Sequence, residues 1–162
     1  MSIEAVARRA GVAKTAVYRR WPSKLEMVLE LVSDMVGPSL PLPDTGSLRG
    51  DIELVLRIAA KALGHPLAGQ IIPDLLAEAA RNPRISQTLL SAMSATQASI
   101  GVDLIGRAVE RGELAAGTSP ETAVDLIVGP LYWRLAVART PLPKGYLSRL
   151  AAAAEAALRG SA

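Results

Sequence analysis

Cysteine does not occur in these 162 residues, so neither a disulfide nor a thiolate metal site can be built from them. Phenylalanine is missing too, and aromatics make up only 3% of a chain that is half hydrophobic. The core must come from Leu, Ala, Ile and Val, and a supply dominated by Leu and Ala favours helix packed on helix over sheet. The one histidine, His65, sits in a Gly-His-Pro turn, and the carboxylates are scattered. There is no Glu-x-x-His pair, glycine-rich phosphate loop or nucleophile elbow. An enzyme, a resident metal and a cofactor are therefore not expected. Without a signal-peptide pattern or an apolar run near the length of a membrane span, the sequence reads as soluble and cytoplasmic, with no membrane partner.

The charge that is present is unevenly placed. Residues 1–24 hold six Lys or Arg against one acid, a net +5, while residues 25–162 hold twelve against fourteen, a net −2. A basic end on a mildly acidic body is the footprint expected of phosphate binding. The same stretch, SIEAVARRAGVAKTAVYRRWPSK over residues 2–24, has a helix-turn-helix pattern. Ser2 caps a helix running to Ala10, with Glu4 in its first turn and Ile3, Val6, Ala7 and Ala10 on one stripe. Gly11 permits a sharp change of direction, and Val12 is expected to plug the turn. A second helix over Ala13–Arg20 puts Val17 inward and leaves Lys14, Thr15, Tyr18 and Arg19 free to face a ligand. Of the neighbouring arginines, Arg19 is placed outward and Arg20 toward the body, while Trp21 packs the head against the following helix. Two short helices joined by a Gly-containing turn match the architecture of major-groove readers.

On the residues Ile3-Glu4-Ala5-Val6-Ala7, Ala10-Gly11-Val12, Lys14 and Val17-Tyr18-Arg19-Arg20-Trp21-Pro22-Ser23-Lys24, the sequence resembles the tetracycline-repressor-like (TetR) family of bacterial regulators. The motif match covers about residues 2–36; the remainder agrees in length, helical pattern and the segment GPLYWRL at 129–135. The resemblance implies a ligand-relieved repressor that binds a palindromic DNA operator as a homodimer. It implies that Lys14 and Thr15 approach base edges or phosphates, that Tyr18 places its hydroxyl on a phosphate, and that Lys24 holds a phosphate at the start of the next helix. Two departures stand out. Ala13 replaces the family's frequent capping Ser, and the family's head has a helix before this point, whereas this sequence starts at Met1. The head is accordingly expected to be incomplete. An alternative reading is an all-α ligand-binding or interaction protein whose truncated head does not bind DNA.

The pattern divides the chain into a head with a linking helix at 1–36 and a helical regulatory and dimerisation domain at 37–162. Helices are expected at 24–36, 47–63, 69–81, 84–111, 119–138 and 144–159, with a Pro-rich loop at 38–46. The helix around 123–138 is apolar nearly all round, so it needs cover on every side. One side belongs to the chain's own body, and a partner is the expected cover for the other. A dimer seam is expected at Ile127 and Leu131, with Leu147, Leu150, Ala151, Ala154 and Leu158 of the Ala-rich last helix. Pro130 must kink its helix or free a carbonyl, and Gly129 beside it removes bulk. A pocket for a small apolar or amphipathic effector is expected there, lined by Leu76, Met93, Ile100, Pro130 and Trp133. Taken singly, Met93 and Trp133 also read as ordinary core.

Overall fold

The computed structural model describes residues 3–22, 26, 27, 30 and 43–160. Among them the structure is helical without a strand: α1 (Ile3–Ala10), α2 (Lys14–Arg20), α3 (Leu48–Leu63), α4 (Pro66–Ala79), α5 (Pro83–Glu110), α6 (Pro120–Tyr132) and α7 (Tyr146–Gly160). The linking helix expected at 24–36 and the loop at 38–46 fall largely outside the described residues, although Glu26, Met27 and Glu30 are helical. The starts of α3, α5 and α6 carry side-chain caps. Ser47, Asn82 and Ser119 accept from the backbone N–H of Gly50, Arg84 and Thr122, each at 3.2 Å. Pro83 and Pro120 follow two of these caps, where the missing N–H costs nothing. Pro66 also opens a helix rather than only closing the preceding one, so α4 begins three residues earlier than the sequence suggests.

The main core is a single aliphatic cluster. Leu48, Ile52, Val55 and Leu56 of α3 meet Leu104, Ile105 and Ala108 of α5, Ala123, Ile127 and Leu131 of α6, and Ala151, Ala154 and Leu158 of α7. The seven largest fully buried side chains are all Leu or Ile. At about 25 cal/mol per Å² of apolar surface removed from water, such a cluster is the main stabilising term. The crossing of α5 and α6 is close at Gly101, where an added Cβ would lie 2.7 Å from the Pro120 carbonyl oxygen.

This arrangement corrects the expected dimer seam. Ile127, Leu131, Ala151, Ala154 and Leu158 are enclosed by the chain's own helices, and Leu147 and Leu150 pack partly buried against the same cluster. A partner could not reach the five buried side chains without opening the body. The reason is rotational: α6 and α7 each carry more than one apolar stripe, and the stripes through Ile127 and Leu131 and through Ala151, Ala154 and Leu158 turn inward.

One polar network crosses the edge of this core. Asp51 is 2% exposed, yet it accepts from the Thr45 N–H at 2.8 Å, the Thr45 hydroxyl at 2.7 Å and the Arg111 guanidinium at 2.9 Å. Burial pushes the Asp51 carboxyl up, but these donors together outweigh it and hold the group below its ordinary pKa. Arg111 also reaches Asp44 at 2.8 Å and Glu113 at 2.6 Å. Glu113 in turn accepts the Leu48 N–H at 2.9 and 3.0 Å, placing its charge at the positive end of α3. Its carboxyl is likewise held low, because Arg111 and the Leu48 N–H outweigh its burial.

Arg111→Ala would strand the buried Asp51 charge and should cost about 3 kcal/mol in urea denaturation. Because Asp51 and Glu113 titrate below their ordinary values in the folded chain, their contribution is complete above pH about 4 and is lost as pH falls from there. The denaturation midpoint should drop over that acid window, and drop less steeply in Asp51→Asn. Gly101→Ala should destabilise by about 1–3 kcal/mol, since the Pro120 backbone cannot yield as a flexible side chain would.

Candidate nucleic-acid interface

The head is held by a small core of its own, in which Ile3 and Ala7 of α1 meet Val17 of α2, with Trp21 and Met27 packed against them. The turn closes as a Schellman ending. Gly11 adopts φ +66°, its N–H donates to the Arg8 carbonyl at 3.3 Å, and the Val12 N–H donates to the Ala7 carbonyl at 3.0 Å. Val12 is largely exposed and does not plug the turn, contrary to the expectation. Ala13 supplies no side-chain cap to α2, as its methyl group dictates.

With Val17 fixed inward, helical spacing places Lys14, Thr15, Tyr18 and Arg19 together on the other side of α2, and all four are exposed. Lys24, the fifth expected contact, lies outside the described residues. Arg20 is turned aside, donating to Glu30 at 2.6 Å and lying 5.0 Å over the Trp21 ring. Trp21 donates its indole N–H to the same carboxylate at 2.9 Å. Arg20 and Trp21 therefore brace the head rather than extend its reading face. Glu4, which the sequence offers only as a helix-start charge, sits on that face. Its carboxylate lies 2.6 Å from the Lys14 ammonium and accepts from the Tyr18 hydroxyl at 3.4 Å. The hydrogen bond and charge of Glu4 push the Lys14 pKa above its ordinary value. The signal for Glu4 in the sequence was its ten-residue separation from Lys14 across a turn, which a helical wheel does not bring together.

The expected effector pocket is placed differently from its sequence picture. Leu76, Met93, Pro130 and Trp133 are exposed in the single chain, Trp133 by 64%, and Ile100 alone packs partly into the core. They line outer surface rather than an enclosed space, while a shallow groove lies elsewhere, against Thr45, Gly50, Glu53, Leu54 and Arg57. Pro130 explains part of this. It has no N–H for the Leu126 carbonyl, and three residues later the helix widens into a π turn over Trp133–Val137, with the Ala138 N–H donating to the Trp133 carbonyl at 2.8 Å. The outward stripe of α6 and this turn is Leu126, Gly129, Pro130, Trp133 and Val137; α7 exposes Ala153, Ala156 and Ala157.

A basic reading helix braced after a Schellman turn, with a separate helical core, defines a helix-turn-helix DNA-binding protein. The family model of bacterial regulatory proteins of the tetR family matches residues 1–31, and that of the tetracyclin repressor-like C-terminal domain matches residues 42–154. The chain belongs to the TetR family of transcriptional regulators. It is 29% identical over 141 residues to the uncharacterized HTH-type transcriptional regulator Rv1556 of Mycobacterium tuberculosis, covering 87% of this chain and 69% of that protein. It is also 29% identical over 155 residues to the DNA-binding transcriptional repressor TetR of Mycobacteroides abscessus, covering 92% and 78%. A crystal structure of the TetR family transcription regulator SCO0332 superposes with a TM-score of 0.71 at 26% identity, over 96% of this chain and 85% of that one. No helix among the described residues is long and apolar enough to cross a membrane.

The two sides of α6 and α7 make a direct contrast. Ala154→Glu should bury an unpaired carboxylate and lower stability by about 3 kcal/mol or more. Trp133→Glu, on the outer side, should leave the thermal midpoint of an isolated chain within about 2 °C of the parent, corresponding to roughly 0.5 kcal/mol or less. Circular dichroism melts at low concentration decide between this placement and the reverse.

Proposed function

We propose that this regulator binds a palindromic double-stranded operator as a cytoplasmic homodimer, acts by binding rather than by catalysis, and is released by a small apolar or amphipathic effector. The chain is read as a DNA-binding head at 1–36 and a regulatory and dimerisation domain at 37–162. The observation that carries the DNA reading is the shared exposure of Lys14, Thr15, Tyr18 and Arg19 on the side of α2 opposite buried Val17. A helix of this size enters the major groove, where Lys14 and Thr15 can meet base edges or phosphates, and Tyr18 and Arg19 the backbone. Lys24 is assigned a further phosphate.

The dimer reading rests on the outward stripe of α6. Leu126, Pro130, Trp133 and Val137 form an apolar stripe that the described residues leave exposed, and α7 adds the exposed small residues Ala153, Ala156 and Ala157, which let a second helix pair approach closely. The effector reading rests on the π turn next to this seam, because a widened turn at a Pro-disturbed helix can repack at small cost. An effector relieves repression only by favouring the arrangement whose heads do not fit two half-sites.

Electrophoretic shifts with duplexes selected from a random pool test the proposal. Lys24→Ala should weaken binding to all sequences alike and reduce the log–log salt slope by about one. Thr15→Ala should instead change which duplexes are preferred. A parent chain that selects no sequence above random DNA would contradict the reading and favour a body without a working head.

A further inference from the structure

The Glu4 carboxylate occupies the reading face between the two groups best placed to hold a phosphate. Lys14 presents its ammonium to Glu4 at 2.6 Å, Tyr18 donates its hydroxyl to the same oxygen at 3.4 Å, and the ammonium stands 5.4 Å from the Tyr18 ring centre. A carboxylate held by a cation and a hydroxyl is chemically a small copy of a DNA phosphate held by the same pair: one anionic oxygen, a charge-assisted bond and a neutral donor. α1 brings Glu4 there because Gly11 folds its first turn back beside the first turn of α2. Residue 4 is the single acid among the first 24 residues, and it stands on the face that carries Lys14 and Tyr18.

We infer that Glu4 is an internal phosphate mimic, a positioning residue that keeps Lys14 and Tyr18 in their DNA-facing pose and must yield them before a phosphate can enter. The inference rests on the DNA-binding role of α2 proposed above. Two consequences separate it from a merely structural acid. First, a phosphate has to displace Glu4 or share its cation, so the free head binds DNA more weakly than its cations alone would allow. The effect is modest, because an exposed ion pair is weak and screened by salt. Second, the brake acts on a phosphate contact and not on a base, so it lowers affinity for every sequence by a similar factor. Its use to a regulator is a lower overall affinity: weak non-specific complexes, which are almost wholly phosphate-driven, fall below occupancy while a tight operator complex persists, with the ratio between the two unchanged.

The test uses the full chain with two labelled probes, a duplex selected from a random pool and a scrambled duplex of equal length, titrated by anisotropy at several salt concentrations. Glu4→Gln keeps the shape and removes the charge. It should tighten binding to both probes by about two- to fivefold at low salt and steepen the salt slope by up to one, leaving the ratio between probes unchanged. In a Lys14→Ala background the same substitution should give less than half of that gain, since the mimic acts chiefly through Lys14. Melting curves establish that each variant is folded, and Glu4→Ala serves as a second variant if the amide disturbs the turn. Weaker or unchanged DNA binding by a folded Glu4→Gln overturns the inference, as does an equal gain with and without Lys14. If the parent binds neither probe and Lys14→Ala changes nothing, it is the DNA-binding role of α2 that fails.

Discussion

The body of this regulator is organised by a helix with more apolar surface than one chain can cover. On α6, Ala123, Ile127 and Leu131 are buried among α3, α5 and α7, and this stripe ties the main cluster together. The stripe on the other side, from Leu126 through Trp133 to Val137, is left exposed by the described residues. A hydrophobic second side of a central helix calls for cover of its own, which is the ground for the dimer interface proposed above. Pro130 lies on that second side, and the helix widens just beyond it. The departure from regular geometry thus falls where packing within the chain is least demanding and where contact with a second copy would be felt first.

A polar device fixes the other margin of the body. Arg111 follows the last residue of the longest helix and gathers Asp44, Asp51 and Glu113, while Glu113 also accepts from the first N–H of α3 and from Arg159 at 3.4 Å. Segments far apart in sequence are joined here by charge-assisted bonds, and the buried Asp51 makes the geometry obligatory, because an unpaired carboxylate at that depth would be costly. The start of α3 therefore has a defined attachment, and α3 is the helix that follows the segment leading from the head.

Much of this was legible in the sequence, and the limits have physical causes. The helix-turn-helix could be read because its signals are local: Gly11 at a left-handed turn, Val17 opposite the cations, and a concentration of positive charge. The helix starts expected at 47, 84 and 119 each fall within one residue of those observed for the same reason. Which stripe of α6 and α7 faces inward could not be read, because both helices carry two apolar stripes and periodicity gives their spacing without their orientation. Ile127, Leu131, Ala151, Ala154 and Leu158 were therefore expected at a seam and lie in the core. Trp133 was expected in a pocket and lies on the surface, at helical spacing from Leu126 and Pro130 on the outward stripe. The Asp51–Arg111–Glu113 network and the Glu4–Lys14–Tyr18 contact escaped for another reason: each depends on tertiary proximity that no single helix encodes.

The most direct measurement of the central claim is the stoichiometry of the DNA complex, read by sedimentation velocity of the full chain with a selected palindromic duplex. Two chains per duplex are predicted, binding together without a populated one-chain complex, as the proposed joining of two chains through the outer face of α6 requires. A stable complex of one chain per duplex, with the chain itself remaining monomeric at high micromolar concentration, would contradict the account.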